Sequence, residues 1–221
     1  MFSGKEVLVR YDRTLNPEKN VAMEQEVFAK VEASELPESV RFWVDTECLV
    51  RGKVKNVRYG WYHEGLARRL GVRVVQRETG GGVVYHDRGN LNWSIFVRSA
   101  GPFHSPAKLF GQASGYIVRA LERLGVPARF APPNRVDVGG YKVSGMAARA
   151  TPRALLVHGT LLLNTDLDRL NLLCIPPPGC PPVANVSRWV GDVRARSLVD
   201  ATVQVLKDSG MKVRLRTPSV A

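Results

Sequence analysis

The sequence predicts an α+β fold in which a mixed or antiparallel β-sheet is flanked by helices. Segments rich in β-branched and aromatic residues outnumber segments with helical spacing, and the two kinds are interspersed along the chain. Two helix starts are marked by a capping residue followed by proline, at Asn16 and at Ser105. Hydrophobic residues make up 44% of the chain and charged residues 24%, a mixture typical of a globular protein that buries a core.

The N-terminal half alternates between the two element types. Its first expected helix starts with an asparagine cap, a proline at the first helical position and a glutamate in the first turn. The expected helices of this half cover residues 16–32 and 62–71. The expected strands cover residues 41–54, 72–78 and 91–98, with a hairpin or paired strands around the three glycines that follow Thr79.

The C-terminal half contains the clearest helical pattern, because apolar residues recur at helical spacing between Ser105 and Gly125. The expected helices of this half cover residues 105–125 and 192–210. The expected strands cover residues 141–150, 154–164 and 211–216, the first two joined by a turn near Thr151. The proline-rich run CIPPPGCPP, residues 174–182, cannot form regular structure and predicts a stiff surface loop.

The charge balance points to an anionic partner. The net charge is +12, which favours a nucleotide or an acidic protein, whereas the scattered arginines make nucleic acid an unlikely partner. No signal peptide and no run of about 20 apolar residues are present, so we expect a cytoplasmic protein without a membrane partner. The three cysteines, Cys48, Cys174 and Cys180, lack metal-site spacing and fit a reducing compartment, and a Cys174–Cys180 disulfide stays open.

Three consecutive glycines, Gly80 to Gly82, either let the chain turn or let backbone amides approach an anion. A plain glycine hairpin or bulge is the simpler alternative. The P-loop pattern is absent, and Tyr85 stands where the dinucleotide-binding pattern needs its last glycine. Lys142 lies in a later strand, on the same face as Ser144. A lone lysine on a strand is usually an exposed edge residue, but beside an anion cradle it could stabilise a migrating negative charge.

Taken in order, the segments QRETGGGVVYHDRGN, KVSGMAARA and HGTLLLNTDL resemble the lipoate–protein ligase A catalytic domain of the biotin/lipoate protein ligase superfamily. The helix NPEKNVAMEQEVF and the segment RGKVKN extend this resemblance, whose motif core covers residues 16–170. The resemblance implies a biotin/lipoyl ligase-like fold, related to class II synthetases. It also implies one catalytic domain over residues 1–221, with a C-terminal helix and strand in residues 192–216 and no accessory domain.

The family implies an ATP-dependent activity. Lipoic acid would react with ATP, accompanied by Mg²⁺, to give lipoyl-AMP, and the lipoyl group would pass to a lysine of an acceptor domain. The implied acceptors are acidic lipoyl domains of 2-oxoacid dehydrogenases or the glycine-cleavage H protein. Because the chain ends about where the family's catalytic domain ends, we expect weak activation of free lipoate by the chain alone and restoration by a separate accessory ligase subunit.

The resemblance also assigns site residues. Lys142 would be the catalytic residue, contacting the acyl carbonyl and the α-phosphate, while Arg77 would hold phosphate oxygens and Asn134 would lie near the adenine. The residues whose backbone would line the acyl-adenylate are Gly80, Gly81, Gly82, Val83, Val84 and Tyr85. The residues expected in the wall or behind it are His86, Asn90, Ser144 and His158. The acyl tunnel is expected to be lined by Trp43, Val83 and strand residues around Leu91, and the metal ligands stay open.

Three departures from the family pattern leave alternatives open. Gln76 replaces the first arginine of the usual pair, Arg135 stands where the family often has aspartate, and Lys55 replaces the usual glutamine. One alternative is an ATP-independent octanoyl or lipoyl transferase that works through a cysteine in the 174–182 segment. The other is a non-catalytic relative that binds lipoate or a nucleotide.

Overall fold

The computed structural model describes residues 1–53, 61–99 and 105–216, so Lys55 lies outside the described residues. The helices of the described ranges are α1 (Pro17–Glu32), α2 (Glu64–Arg69), α3 (Pro106–Arg123), α4 (Leu167–Leu173), α5 (Ser187–Val190) and α6 (Ala195–Asp208). The strands there are β1 (Glu6–Tyr11), β2 (Ser39–Trp43), β3 (Cys48–Arg51), β4 (Arg73–Gln76), β5 (Val83–His86), β6 (Asn90–Arg98), β7 (Ala128–Ala131), β8 (Arg135–Val138), β9 (Tyr141–Ala150), β10 (Ala154–Leu162) and β11 (Lys212–Arg216).

The strands form two sheets. The large sheet has the order β11-β1-β2-β6-β10-β9-β8-β7, and the small sheet has the order β4-β3-β5. In the large sheet β1 pairs in parallel with both β11 and β2, whereas the strands from β2 to β7 pair antiparallel. The predicted mixed sheet with flanking helices is therefore confirmed. Among the described residues, no helix combines the length and the apolar character needed to cross a bilayer.

Helices cover both faces of the large sheet. Ile95 and Val97 of β6 belong to the main core cluster together with apolar residues of α3 and α6, whereas Phe96 between them packs with Val27 and Phe28 of α1. Because successive strand residues point to opposite faces, α1 lies on one face of the sheet and α3 and α6 on the other. The helix predicted over 105–125 forms as α3. The apolar residues that recur at helical spacing lie on the face of α3 that is buried.

The single strand predicted over residues 41–54 is wrong. The apolar run divides at Asp45 into β2, which belongs to the large sheet, and β3, which belongs to the small one. Asp45 is buried, and its carboxylate accepts hydrogen bonds from the Trp43 indole and from the amide of Asn20 on α1. The need to pair this buried carboxylate with α1 and with Trp43 interrupts the strand at this point.

The predicted hairpin around the glycines is also wrong. β4 and β5 do not pair with each other but flank β3, in parallel and antiparallel respectively, and β6 lies in the other sheet. The segment 77–82 therefore arches over the end of β3. Three backbone hydrogen bonds fix this arch: Arg77 N to Arg51 O, Gly52 N to Gly82 O and Lys53 N to Thr79 O.

A buried arginine ties α1 to the large sheet. Arg41 of β2 is 0% exposed, and its Nε donates to Asp12 Oδ2 at 2.6 Å. Its two terminal nitrogens donate to the backbone carbonyl and the side-chain oxygen of Asn20 on α1. Burial lowers the pKa of Arg41, and the hydrogen bond to Asp12 opposes that shift. The guanidinium also lies 4.3 Å from the centroid of the Trp43 ring, so this contact positions Trp43.

We expect Asp12→Ala to lower the free energy of unfolding by about 3 kcal/mol, because it leaves the Arg41 cation buried without its carboxylate. The control Asp200→Ala removes a carboxylate from the exposed Arg196–Asp200 pair and should cost less than about 0.5 kcal/mol. Urea unfolding curves measure both effects. Equal small losses in the two variants would contradict the assigned role of Asp12.

Candidate active site

The arch 77–82 is held from inside by Arg77. Its Nε donates to Thr79 Oγ1 at 2.9 Å, its Nη1 donates to Val50 O at 2.8 Å, and its Nη2 donates to Gly80 O at 2.8 Å and Gly82 O at 3.0 Å. Burial lowers the pKa of Arg77 to about 10, against the opposing charge of Glu24. Four of the five guanidinium donors are thus used within the protein. The predicted phosphate contact of Arg77 stays a prediction, since in this structure the side chain braces the loop.

The glycines free backbone amides. Gly81 has φ = +90°, which favours glycine, and a Cβ there would lie 3.1 Å from Arg77 Nη2. The amides of Gly80, Gly81 and Gly82 donate no hydrogen bond to any described residue. Because the carbonyl of Gly80 points at Arg77, its trans peptide directs the Gly81 amide the opposite way. This arrangement leaves donors available to an anion.

Lys142 lies on β9 and folds over Gly145. A Cβ at Gly145 would lie 3.0 Å from Lys142 Cε and 3.1 Å from Nζ, so the missing side chain makes room for the lysine. The backbone of Lys142 is bound on both sides to the proline-rich segment, through Lys142 N to Pro182 O and Ala184 N to Lys142 O.

The shared strand face predicted for Lys142 and Ser144 is wrong. A bulge in the pairing of β9 with β8 places Lys142 opposite Asp137 and Ser144 opposite Val136, and these two neighbours on β8 face opposite sides of the sheet.

Two cavities meet at Lys142. The inner cavity, of about 200 Å³, lies between α1, β2, the glycine arch and β10, and its lining includes Glu24, Trp43, Val50 and Met146. The proline-walled cavity, of about 170 Å³, is closed by residues of the 174–182 segment, Leu162 and Leu170. The residues that line both cavities are Val83, Val84, Lys142, Gly145, Thr160 and Pro177. The expected surface loop 174–182 is irregular, as predicted, but it forms a wall of the site, and Cys174 and Cys180 are free thiols.

A chain of buried polar groups links α1 to the glycine arch. His158 Nδ1 lies 2.9 Å from Glu24 Oε1, and its Nε2 lies 2.7 Å from Thr79 Oγ1, which in turn accepts from Arg77. Ser94 Oγ donates to the same oxygen of Glu24. Burial alone would raise the pKa of Glu24, but His158 and the Ser94 hydrogen bond outweigh it and hold that pKa below its ordinary value. The chain fixes the arch against the sheet.

Asp45 is the centre of a second buried cluster at the inner cavity. Its Oδ2 accepts from Trp43 Nε1 at 3.1 Å and from Asn92 Nδ2 at 3.2 Å, and it lies 2.9 Å from His86 Nδ1. In the described part of the chain, Asp45, Cys48 and His86 are the one group of potential ligands close enough to share a metal ion. Burial raises the pKa of the Cys48 thiol, and Asp45 Oδ2 is already engaged, so we assign no metal to these residues.

The structure brings most of the predicted site residues together. Those that line one or both cavities are Arg77, Gly81, Gly82, Val83, Val84, Tyr85, His86, Asn134, Lys142, Ser144 and His158. Gly80, Asn90 and Leu91 line neither cavity: Gly80 contributes a carbonyl to Arg77, and Asn90 is buried and donates to Asn92. Asn90 thus lies behind the wall, bonded to the lining residue Asn92, which is one of the two places predicted for it. The lining predicted for Gly80 and near Leu91 stays a prediction.

Contacts of two predicted residues define their places in the site. Asn134 Nδ2 donates to Met146 O at 2.7 Å, so this side chain joins the entry of β8 to β9. Tyr85 donates its hydroxyl to Glu47, which also receives the Arg169 guanidinium. Burial and the nearby Glu47 carboxylate raise the pKa of Tyr85.

Sequence reasoning missed Glu24 and Asp45. A signal for Glu24 was available, since it lies four residues after Asn20 and three before Val27, on the stripe of α1 that is buried. A carboxylate on such a stripe indicates a buried polar partner. Asp45 carries no comparable signal, because its partners come from three separate parts of the chain.

The family model described as the lipoyl protein ligase A/B catalytic domain matches residues 16–212. The chain belongs to this family. A lipoate-protein ligase A homologue from Aeropyrum pernix is 38% identical over 162 residues, covering 73% of this chain and 59% of that protein. Lipoate–protein ligase 1 of Staphylococcus aureus is 35% identical over 164 residues, covering 73% of this chain and 48% of its own. The chain thus spans about half the length of the curated relatives it matches.

Solved structures confirm the predicted ligase-like fold. A bipartite lipoate protein ligase of Thermoplasma acidophilum, described with its E2 lipoyl domain, superposes with a TM-score of 0.82 at 23% identity, covering 98% of this chain and 88% of its own. A lipoate-protein ligase A bound with ATP gives the same TM-score at 24% identity, covering 97% and 89%. At these identities the likeness concerns the fold.

We expect Glu24→Gln to reduce the loss of stability in acid. The folded-state pKa of Glu24 lies below its ordinary value, so the unfolded chain takes up the proton first. The stabilisation is therefore present above about pH 4.5 and is lost as the pH falls below it. Urea unfolding between about pH 3 and pH 7 should show a shallower acid limb for Glu24→Gln than for the unchanged protein. Glu18→Gln, at an exposed glutamate of the same helix, is the control, and an equally shallow limb there would contradict the assignment.

Proposed function

We propose that this protein is an ATP-dependent lipoate–protein ligase, which forms lipoyl-AMP and transfers the lipoyl group to a lysine of an acceptor domain. The observation that carries the proposal is the position of Lys142, at the junction of two cavities whose walls include the arch, where the glycine amides bond to no described residue. Family membership and the names of the relatives support the same reaction.

The two cavities suit the two halves of an acyl-adenylate. The inner cavity has apolar walls from Trp43, Val50 and Met146, and at its far side the closed Glu24–His158 pair, so it suits the acyl chain. The proline-walled cavity suits the adenosine. Asn134 lines the inner cavity and not this one, so its predicted place near the adenine does not fit the proposal. The mixed anhydride would then lie at the shared residues, where Lys142 and the glycine amides can reach it.

The reaction needs charge stabilisation more than proton transfer. A carboxylate oxygen of lipoate attacks the α-phosphorus of ATP, the bond to pyrophosphate breaks, and negative charge builds on the α-phosphate oxygens. The Lys142 ammonium and the glycine amides would stabilise that charge. In the second step the ε-amine of the acceptor lysine attacks the acyl carbonyl, AMP leaves, and an amide forms. Lys142 can follow the charge from phosphate to carbonyl because it borders both cavities.

Mg²⁺ is part of the proposal as an ion carried by ATP. In the described linings of the two cavities the carboxylates are Glu24 and Asp45, and both are engaged in hydrogen bonds. Arg135, at the position where the family often has aspartate, pairs with Asp137 instead. The protein thus offers this ion no free carboxylate there, and the phosphates of ATP would hold it.

A transferase that uses a cysteine thioester is the alternative with a structural observation in its favour. Cys174 and Cys180 both line the proline-walled cavity together with Lys142. However, burial raises the pKa of Cys174 to about 12, with only Lys142 opposing it, so the thiolate nucleophile is scarce near neutral pH. Serine substitution of both cysteines, with retention of acylation, would eliminate this alternative.

Two macromolecular partners belong to the proposal. One is an acidic lipoyl acceptor domain of a 2-oxoacid dehydrogenase or the glycine-cleavage H protein. The other is a separate accessory ligase subunit, which the bipartite Thermoplasma ligase supports by its fold likeness. The absence of an accessory domain from this protein, and its cytoplasmic location, stay predictions. ATP–pyrophosphate exchange with lipoate, with and without such a subunit, followed by the mass change of an acceptor domain, tests the whole reaction.

We expect Lys142→Met to lower lipoyl-AMP formation by about 100-fold or more, because it removes the charge that stabilises the transition state. Gly145→Ala should lower it by about tenfold, since the added Cβ displaces the end of the Lys142 side chain. Gly115→Ala is the matched control, because its Cβ would meet nothing within 4 Å. Exchange rates and thermal unfolding midpoints are measured together. Full activity of folded Lys142→Met would overturn the ligase proposal and favour a binding protein.

We also expect association with an acidic acceptor domain to slow as salt rises from about 50 mM to about 300 mM, because screening weakens attraction to a chain of net charge +12. Stopped-flow association rates measure this effect. An association rate that is constant over this range would show that the basic charge does not guide the acceptor.

A further inference from the structure

An exposed arginine is stacked against two aromatic rings on the surface of the protein. The guanidinium carbon of Arg188 lies 4.4 Å from the centroid of the Tyr141 ring and 5.9 Å from the centroid of the Trp189 ring. The two rings form an edge-to-face pair whose centroids are 6.3 Å apart. Among the described residues, the Arg188 guanidinium has no hydrogen-bond acceptor and no ion-pair partner. Its donors are therefore available to a partner from outside the chain.

The two rings are anchored to the fold. Trp189 packs against the main core cluster, and the turn before β9 approaches it closely at Gly139, where a Cβ would lie 3.6 Å from Trp189 Cζ2. Tyr141 is held in the sheet by its pairing with Val138 of β8. A planar guanidinium that is already stacked on fixed rings loses little further conformational freedom when it binds a partner. Arg188 is therefore preorganised for binding.

The cluster of Tyr141, Arg188 and Trp189 lies at the rim of the proposed active site. Tyr141 directly precedes Lys142, and none of the three belongs to the described lining of either cavity. The segment that leads into α5 is bonded to the same lysine, through Ala184 N to Lys142 O. A standard protein interface covers about 800 Å² on each partner, a disc roughly 30 Å across. A domain that brings its own lysine to Lys142 would therefore cover the cluster as well.

The chemistry of the cluster favours a carboxylate on the surface of a protein. A guanidinium presents parallel donors that match the two oxygens of a carboxylate. Tryptophan, tyrosine and arginine are also the residues that most often dominate the binding energy of protein interfaces. The net charge of the chain is +12, so an acidic partner surface meets a complementary potential.

We propose that Arg188, held by Tyr141 and Trp189, binds a carboxylate side chain of the acidic acceptor domain and so docks that domain beside the active site. This inference rests on the proposed function, because it takes an acceptor domain as the second substrate. Arg188 acts in docking and takes no part in formation of lipoyl-AMP. The transfer step therefore depends on Arg188, and the activation step does not.

Transfer from supplied lipoyl-AMP isolates the docking step. The full chain and its variants receive lipoyl-AMP and increasing concentrations of an unmodified acceptor domain, and mass spectrometry measures the lipoylated product. We expect Arg188→Gln to raise the KM for the acceptor about tenfold, with kcat little changed. Arg188→Lys should raise this KM about threefold, because lysine keeps the charge but loses the planar, stacked fork. ATP–pyrophosphate exchange should be unchanged in both variants.

Arg153→Gln is the matched control. It removes the same charge from an exposed arginine in the turn after β9, at the opposite end of that strand from Tyr141. At about 3.3 Å per residue, the strand separates the two sites by roughly 30 Å. The KM of Arg153→Gln for the acceptor should equal that of the unchanged protein, and thermal unfolding midpoints should be the same in all variants.

Several results would overturn the inference and leave the ligase proposal intact. These are an unchanged KM in Arg188→Gln, an equal increase in Arg153→Gln, and full retention of acceptor affinity in Arg188→Lys, which would reduce the role of Arg188 to its charge alone. Weaker binding of an accessory subunit by Arg188→Gln, with an unchanged KM for the acceptor, would assign the cluster to that subunit instead. A large decrease in its unfolding midpoint would show a structural role. If the unchanged protein transfers nothing from lipoyl-AMP, the proposed function falls and this inference with it.

Discussion

The geometry of the site depends on the guanidinium of Arg77, whose hydrogen bonds go mainly to backbone carbonyl groups. Arg77 forms no ion pair among the described residues, and its guanidinium instead holds the carbonyls of Val50, Gly80 and Gly82. This choice has two consequences. The glycine arch is held in a defined shape, and within the described ranges its glycine amides have no hydrogen-bond partner and no carboxylate pairs with Arg77. A preformed set of donors beside incompletely neutralised charge is what an anionic, reactive intermediate requires.

Helix α1 explains why the arch can hold that shape. Its buried stripe contains Asn20 and Glu24 as well as apolar residues, and each polar side chain meets a different network. Asn20 joins Arg41 and Asp45, which position Trp43, and Glu24 joins His158, which reaches the arch through Thr79. Burying these groups is costly, and an apolar helix face would pack without that cost. The polar stripe of α1 therefore lowers the stability of the fold, but it fixes the positions of the side chains that form the cavity walls.

Much of the fold and site could be predicted from the sequence, and the failures have physical reasons. α1, α3 and α6 were predictable because capping residues and long apolar repeats are local signals, and the site residues were predictable because they lie in three motifs that occur in the family's order. The boundary between β2 and β3 was not predictable from the sequence, because Asp45 interrupts the apolar run through partners that lie far away in the chain. β7 and β8 were missed because four-residue strands carry too little periodicity, and β1 was missed as well. Gly80 and Asn90 share a motif with lining residues, but sequence proximity does not show which way a residue faces.

The two backbone hydrogen bonds between Lys142 and the proline-rich segment have a mechanical consequence. Because Pro182 and Ala184 bond to the amide and the carbonyl of this one residue, the segment cannot swing away without disturbing the strand that carries the lysine. Prolines also make the segment too stiff to open one residue at a time. We therefore expect this wall and the strand that carries Lys142 to move together as one unit.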